Sequence, residues 1–271
     1  MLASAMKGWL VGLALVIVLG AAGVGLWVTW DSTQTSADPL SMVTNDRLVT
    51  TTTSGLRATT PTTVPPPPPC EPGEEPVAGD PATDWPTTVI DTGHRLPPEF
   101  APADLVEVTE AGFESRDRVR SFVIADLAAL RAAAEANGTP IVVISGYRSF
   151  DYQANLFADR TTEVGEEAAA LRTARPGHSE HQLGTAVDVL DPGVGDLTTA
   201  FGQTPAGQWV AAHAHEYGFV LSYPEGARDR TCYEFEPWHL RYVGRDLAAQ
   251  IHESGSTARE WMLAERADNA G

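Results

Sequence analysis

The longest apolar stretch of the chain lies near its start and predicts a membrane-spanning helix. Residues 8–30 carry no charged side chain and are mostly Leu, Val, Ala and Gly, and about 20 apolar residues are enough to cross a bilayer. Lys7 precedes this stretch and Asp31 follows it, so the positive-inside rule predicts a cytoplasmic N-terminus and an extracellular remainder. Residues 1–30 are therefore predicted to form a cytoplasmic tail and a single-pass anchor in the cytoplasmic membrane. The alternative, a cleaved signal peptide, exports the same remainder.

A polar segment of low complexity follows the apolar stretch. Residues 31–84 are rich in Thr, Ser and Pro, with a run of Thr at 50–53 and a run of Pro at 65–69. Such a segment buries too little apolar surface to offset the entropy that is lost when it becomes ordered. We therefore predict a disordered linker between the anchor and a folded domain.

Regular apolar patterns predict one folded domain over residues 85–255. An apolar stripe with the period of a helix predicts a helix from Ser115 to Asn137, with Ser115 as its cap. Short apolar runs predict strands at 140–145, 185–190, 219–223 and 238–243, and further helices are expected at 149–160, 164–174, 204–217 and 245–254. This irregular mixture lacks a Gly-rich dinucleotide-binding turn and favours an α+β fold with a small antiparallel sheet flanked by helices. Residues 256–271 are expected to form a C-terminal tail that is partly helical.

Composition narrows the possible partners and the compartment. The chain has 36 acidic and 18 basic side chains, a net charge of −18, which argues against nucleic acid because Lys and Arg supply most of the affinity for phosphates. Its hydrophobic content of 43% is sufficient for a core. An exported chain with two cysteines, Cys70 and Cys232, can form a disulfide. We expect this bridge rather than two free thiols, and it would pin the end of the linker to the domain.

Two short motifs carry candidate catalytic chemistry. His181 ends a loop, and Asp188 lies in an apolar strand where an unpaired carboxylate would be costly to bury. Glu236 and His239 belong to a second motif, Glu-Pro-Trp-His. Two imidazoles and one carboxylate with an open fourth position have the composition of a catalytic zinc site, beside which Glu236 could accept a proton from water. Each residue taken singly is more often structural, so the spacing alone leaves zinc undecided.

Additional motifs connect the chain to a known family. The two motifs above, preceded by Ser-Gly-Tyr-Arg-Ser at residues 145–149, resemble the VanY-type D-alanyl-D-alanine carboxypeptidases over about residues 85–250. The resemblance implies a single zinc-peptidase domain with Glu236 as the general base. The ligands of Zn²⁺ that it implies are His181, Asp188 and His239.

The resemblance also implies further site residues and a reaction. Arg148 would stabilise the oxyanion or hold the substrate, and Gln153 and Ser179 match positions near the substrate. The implied reaction removes the terminal D-Ala from peptidoglycan stem peptides outside the cytoplasmic membrane. Related L,D-carboxypeptidases, D,D-dipeptidases and endopeptidases stay open, because pocket shape rather than the metal site sets specificity. A non-catalytic wall-binding module is a further alternative, against which the presence of Glu236 and Arg148 argues.

Overall fold

The computed structural model describes residues 66–270, with side chains described as far as residue 268. The anchor predicted at residues 8–30 and most of the predicted linker lie outside this range. Within the described part, none of the helices has the length and apolar character needed to cross a bilayer. The anchor and the membrane location therefore remain predictions.

Eight short strands form three sheets in the described part of the chain. The strands are β1 (Glu75–Pro76), β2 (His94–Arg95), β3 (Leu105–Glu107), β4 (Arg118–Arg120), β5 (Val142–Ser145), β6 (Ala186–Leu190), β7 (Phe219–Leu221) and β8 (His239–Tyr242). β1 and β2 form a parallel pair, and β3 and β4 form an antiparallel pair. The main sheet has the order β5-β6-β8-β7 and is antiparallel throughout. The predicted small antiparallel sheet is thus confirmed.

Seven α-helices accompany these strands over residues 66–270. The helices are α1 (Ile124–Ala136), α2 (Phe150–Val164), α3 (Glu166–Ala169), α4 (Pro205–His213), α5 (Arg228–Thr231), α6 (Arg245–Ser254) and α7 (Ala258–Ala270). Short 3-10 turns connect several elements, and one of them, Glu180–Leu183, lies shortly before β6. α6 has the bounds predicted from the sequence, and α7 falls in the C-terminal tail. The mixture of helices and a small sheet confirms the α+β class.

One hydrophobic core joins the main sheet to α1 and α4. Leu127 and Leu130 of α1 and Val210 of α4 are fully buried in one cluster with Val187 of β6 and Leu240 of β8. Burying an aliphatic side chain of this size contributes about 1.5–3 kcal/mol relative to leaving it exposed. The core therefore gives rigid support to the two central strands, which carry two of the candidate ligands.

The prediction that a helix begins at Ser115 is wrong, because the helix begins later in the structure. Residues 118–120 form β4, which pairs with β3, and α1 begins only at Ile124. Ser115 does not cap a helix, because its hydroxyl bonds the carboxylate of Asp117. The apolar residues of this segment are buried in either arrangement, so their pattern could not distinguish a helix from a short strand. The helix predicted at 164–174 is likewise limited to the four residues of α3.

Folded structure begins upstream of the predicted domain boundary. Cys70 and Cys232 form the predicted disulfide. The guanidinium of Arg175 donates a hydrogen bond to the carbonyl oxygen of Gly73, and β1 pairs with β2. These contacts hold residues 70–84 on the domain, although the composition of this segment is that of a linker.

Candidate metal centre and active-site cavity

The register of the main sheet brings the candidate ligands together. Asp188 in β6 is paired with His239 in β8, so their side chains are direct cross-strand neighbours. His181 lies on the 3-10 turn that precedes β6. All three side chains are buried. The spacing of His181 and Asp188 thus allows the turn to fold back over the start of the strand.

The three candidate ligand atoms form a nearly equilateral triangle. Nε2 of His181 is 3.2 Å from Oδ1 of Asp188 and 3.2 Å from Nδ1 of His239. The third side, from Nδ1 of His239 to Oδ1 of Asp188, measures 3.3 Å. Three ligands placed about 2.0 Å from a tetrahedral zinc ion are separated by about 3.3 Å. The triangle therefore matches one face of a zinc coordination tetrahedron.

Hydrogen bonds on the far side of each imidazole select the nitrogen that faces the triangle. Nδ1 of His181 lies 2.6 Å from the carbonyl oxygen of Gly146, so it is the donor and Nε2 keeps its lone pair. Nε2 of His239 lies 2.9 Å from Oε2 of Glu180, which leaves the lone pair on Nδ1. Oδ1 of Asp188 has no hydrogen-bond partner among the described residues. Three lone pairs therefore converge on one point, and a cation fits this donor set.

Electrostatics at the triangle also favour positive charge. Burial opposes protonation of His239, but the adjacent carboxylates of Asp188 and Glu180 raise the pKa of its imidazole, so they stabilise a positive charge at Nδ1, either a proton or a bound cation that replaces it. Burial would raise the pKa of Asp188, yet the neighbouring imidazoles and Arg148 hold it well below its usual range. The carboxylate of Asp188 is therefore ionised and attracts a cation.

The loop that follows β5 places Arg148 beside the triangle. Nη1 of Arg148 is 3.4 Å from Oδ2 of Asp188 and 3.2 Å from Oγ of Ser145. Gly146 permits this packing, because a Cβ atom at that position would lie 2.5 Å from the carbonyl oxygen of Arg118. The Ser-Gly-Tyr-Arg sequence thus fixes a guanidinium next to a candidate ligand.

Glu236 approaches the triangle from the loop that precedes β8. Its Oε2 is 3.9 Å from Nδ1 of His239. The backbone N–H of His239 donates to the carbonyl oxygen of Glu236, so a tight turn through Pro237 holds the two side chains close together. Burial raises the pKa of Glu236 to about 8, although the charge of His239 opposes this shift. A carboxyl group with this proton affinity is suited to exchange protons near neutral pH.

A cavity of about 480 Å³ opens onto the cluster. Its lining includes six of the residues predicted from the sequence, namely Arg148, Gln153, Ser179, Asp188, Glu236 and His239. The amide of Gln153 donates to the carbonyl oxygen of Ala174 at 2.7 Å, and the hydroxyl of Ser179 accepts the backbone N–H of His181. Both side chains therefore shape the cavity wall as well as facing its interior. His181 lies behind this wall and is fully buried.

Two buried charged residues near the triangle were missed from the sequence. Oε1 of Glu180 accepts a hydrogen bond from Nη1 of Arg241 at 2.8 Å, and Oε2 accepts one from Oγ of Ser222 at 2.7 Å. Burial would raise the pKa of Glu180, but Arg241 and His239 lower it to about 2. The available signals were a carboxylate next to one candidate histidine ligand, His181, and an arginine two residues after the other, His239.

Comparisons with known proteins identify the family. Residues 116–245 match the model of the VanY family, described as D-alanyl-D-alanine carboxypeptidase. The putative carboxypeptidase YodJ of Bacillus subtilis is 37% identical over 180 residues, which cover 64% of this chain and 66% of YodJ. This chain therefore spans just under two thirds of the length of that relative.

Two solved structures extend the comparison to the fold. The LdcB LD-carboxypeptidase superposes with a TM-score of 0.59 and 35% identity, covering 66% of this chain and 87% of LdcB. The vancomycin-resistance D,D-pentapeptidase VanY, solved in complex with Zn(II), has a TM-score of 0.57 and 27% identity, covering 66% of this chain and 99% of that protein. Sequence, fold and the order of the motifs agree, and the chain belongs to the VanY family of carboxypeptidases.

Proposed function

We propose that this protein is a zinc-dependent D-alanyl-D-alanine carboxypeptidase that removes the terminal D-Ala from peptidoglycan stem peptides. The observation that carries the proposal is the convergence of His181, Asp188 and His239 on one point beside a cavity lined by Glu236 and Arg148. The family description and the Zn(II) complex of the related D,D-pentapeptidase support the reaction and the metal.

The three candidate ligands, Glu236 and Arg148 each have a defined task in this reaction. His181, Asp188 and His239 would hold the zinc ion, which when bound polarises the scissile carbonyl and lowers the pKa of a coordinated water to about 7. Glu236 accepts a proton from the attacking water and delivers it to the leaving amino group of D-Ala. Arg148 stabilises negative charge, either on the carbonyl oxygen as the water attacks or on the C-terminal carboxylate of the substrate.

A second candidate reaction is L,D-carboxypeptidase activity. The related LdcB LD-carboxypeptidase is 35% identical to this chain and is covered over 87% of its length, which is a higher identity than that of the D,D-pentapeptidase. Both reactions use the same attack of water on a peptide carbonyl, so the metal cluster favours neither. The residue on the amino side of the scissile bond separates them.

Purified full-length protein, loaded with zinc, is incubated with a stem pentapeptide ending in D-Ala-D-Ala and with the matching tetrapeptide. We expect the pentapeptide to lose one alanine, as read by mass spectrometry. Cleavage of the tetrapeptide alone would establish the L,D reaction. Hydrolysis of added free D-Ala-D-Ala to two D-alanines, with the pentapeptide left intact, would establish a D,D-dipeptidase, and cleavage of a cross-linked peptide alone would establish an endopeptidase. Zinc binding without cleavage of any of these would favour the wall-binding module.

Two matched variants test the role of the general base. We expect Glu236→Gln to retain zinc and to lose at least about 100-fold in kcat, because it removes the proton acceptor without removing a ligand. The exposed Glu225 provides the control Glu225→Gln, which is expected to keep full activity. If Glu236→Gln retained turnover, another group would have to be the base.

We also propose that the domain functions outside the cytoplasmic membrane, held by residues 8–30. The uncharged apolar segment after Lys7 supports this orientation, and the Cys70–Cys232 disulfide is typical of an exported protein. Protease added to intact spheroplasts should digest the domain. If the domain stayed intact under these conditions and was digested only after lysis, the proposed location would be wrong.

A further inference from the structure

A network of three buried polar side chains, those of Glu180, Arg241 and Ser222, lies directly behind His239. Glu180 accepts hydrogen bonds from Arg241 and Ser222 and faces Nε2 of His239 at 2.9 Å. Arg241 is itself anchored, because its Nη2 donates to the carbonyl oxygens of Trp85 and Thr88. Glu180 is thus held by two side chains besides His239, and Arg241 is held in turn by the backbone.

Burial of the Glu180–Arg241 ion pair is costly to the fold. The side chains of Glu180 and Arg241 are 6% and 1% exposed, and burying two charges costs several kcal/mol per ion before their attraction is counted. A buried pair of apolar residues would often stabilise the fold at least as well. What distinguishes this pair is its position: Oε2 of Glu180 lies 2.9 Å from Nε2 of His239, so the buried carboxylate serves the imidazole of a candidate ligand.

We infer that Glu180, held by Arg241 and Ser222, is a positioning residue that orients the imidazole of His239 for metal binding. This inference rests on the zinc site of the proposed function. A hydrogen bond from Nε2 to Glu180 keeps the proton on Nε2, directs the lone pair of Nδ1 at the triangle and raises the basicity of the ring. His181 obtains the corresponding support from the carbonyl oxygen of Gly146.

The Glu180–Arg241 pair has no net charge, so it orients His239 without adding a second negative charge beside Asp188. A lone carboxylate behind His239 would add negative charge, whereas the arginine balances it and fixes its geometry. Glu180 therefore acts on the metal through His239 rather than as a ligand.

The test measures zinc affinity of the full-length chain in detergent by competition with a chromophoric chelator. We expect Glu180→Gln to weaken zinc binding by about 10- to 100-fold, because an amide cannot accept hydrogen bonds from Arg241, Ser222 and His239 together. Asp91→Asn is the matched control. It removes the carboxylate from another buried pair, Asp91–Arg259, which is 2.7 Å long, and should leave zinc affinity within twofold of wild type.

The outcomes separate this inference from the function on which it rests. Failure of the wild-type chain to bind zinc would overturn the proposed function. Zinc binding by wild type with an unchanged affinity in folded Glu180→Gln would overturn the inference alone. A second variant, Glu180→Gln with Arg241→Met, removes the unpaired positive charge. If this double variant recovered wild-type affinity, the loss would come from charge rather than from orientation of His239, and the inference would be wrong.

A milder substitution covers the case in which Glu180→Gln does not fold. Ser222→Ala deletes one hydrogen bond to Oε2 of Glu180 and leaves the ion pair intact. It should weaken zinc binding at least about twofold, and the NMR signal of the His239 Nε2–H proton should shift in the same variant. An unchanged affinity together with an unchanged proton signal would contradict the positioning role.

Discussion

Replacing both Cys70 and Cys232 by alanine should lower the free energy of unfolding by a large amount. The bridge joins residues 162 positions apart, and a cross-link that closes a loop of this length removes unfolded-chain entropy worth about 5 kcal/mol at 25 °C. For a domain of this size the corresponding fall in Tm is roughly 10–20 °C. Alanine is preferred to serine because Cys232 packs in a buried cluster with Tyr223 and Tyr233, where a hydroxyl would need a partner.

Guanidinium chloride unfolding of oxidised wild type and of the double variant measures this difference. The slope of the free energy against denaturant should increase in the variant, because its unfolded chain is more expanded. Dithiothreitol provides the control, since it should bring wild type to the stability of the variant and leave the variant unchanged. A difference below about 1 kcal/mol would refute the reasoning, because the noncovalent contacts of residues 70–84 would then constrain the chain without the bridge.

Three further predictions address the site, the core and the acid limit of stability. Arg148→Ala should lower kcat/KM by about 100-fold or more with zinc still bound, and Arg148→Lys should recover only part of the loss. If kcat/KM in the peptide assay fell less than tenfold, the guanidinium would not be the group that stabilises negative charge. Leu130→Ala should lower the free energy of unfolding, measured in urea, by about 2–5 kcal/mol because Leu130 is fully buried. A loss below about 1 kcal/mol would show that neighbouring side chains fill the space left by the leucine. Burial would raise the pKa of Asp91, but hydrogen bonds from His94 and Arg259 lower it. Because the pKa of Asp91 is depressed in the folded state, wild type should be more stable than Asp91→Asn by the full amount above about pH 5. This difference in the free energy of unfolding should shrink as the pH falls below about 4, the pKa of an aspartate in the unfolded chain. A difference that is independent of pH would contradict this.

The sequence was most informative where chemistry and local pattern agree. Asp188 stands out because a carboxylate in an apolar strand requires a partner, and His181 and His239 supply matching ligand types. What the sequence could not show is the pairing of β6 with β8, which sets Asp188 opposite His239. That register depends on residues about 50 positions apart, and no local periodicity records it.

The errors have the same physical origin. β4 was predicted as helix because a three-residue strand is defined by its partner β3 rather than by its own side chains. Glu180 is not among the predicted site residues because its partner, Arg241, lies in a strand 61 residues further along the chain. Residues 70–84 have the composition of a linker and are held by contacts with Arg175 and Cys232, which are still more remote in sequence.

The last helix has a consequence for the order in which the protein can fold. Arg259 of α7 donates to the carbonyl oxygen of Pro68 and pairs with Asp91. Cys70 likewise can form its disulfide only after Cys232 has been synthesised. During synthesis, the early partners emerge from the ribosome well before the late ones. The first part of the domain therefore cannot complete its contacts until nearly the whole chain has been made, and contacts at such sequence separation form slowly. A chain that stops before α7 should lose the contacts of Arg259 with Pro68 and Asp91, and the Cys70–Cys232 bridge would then carry more of the attachment of residues 70–84.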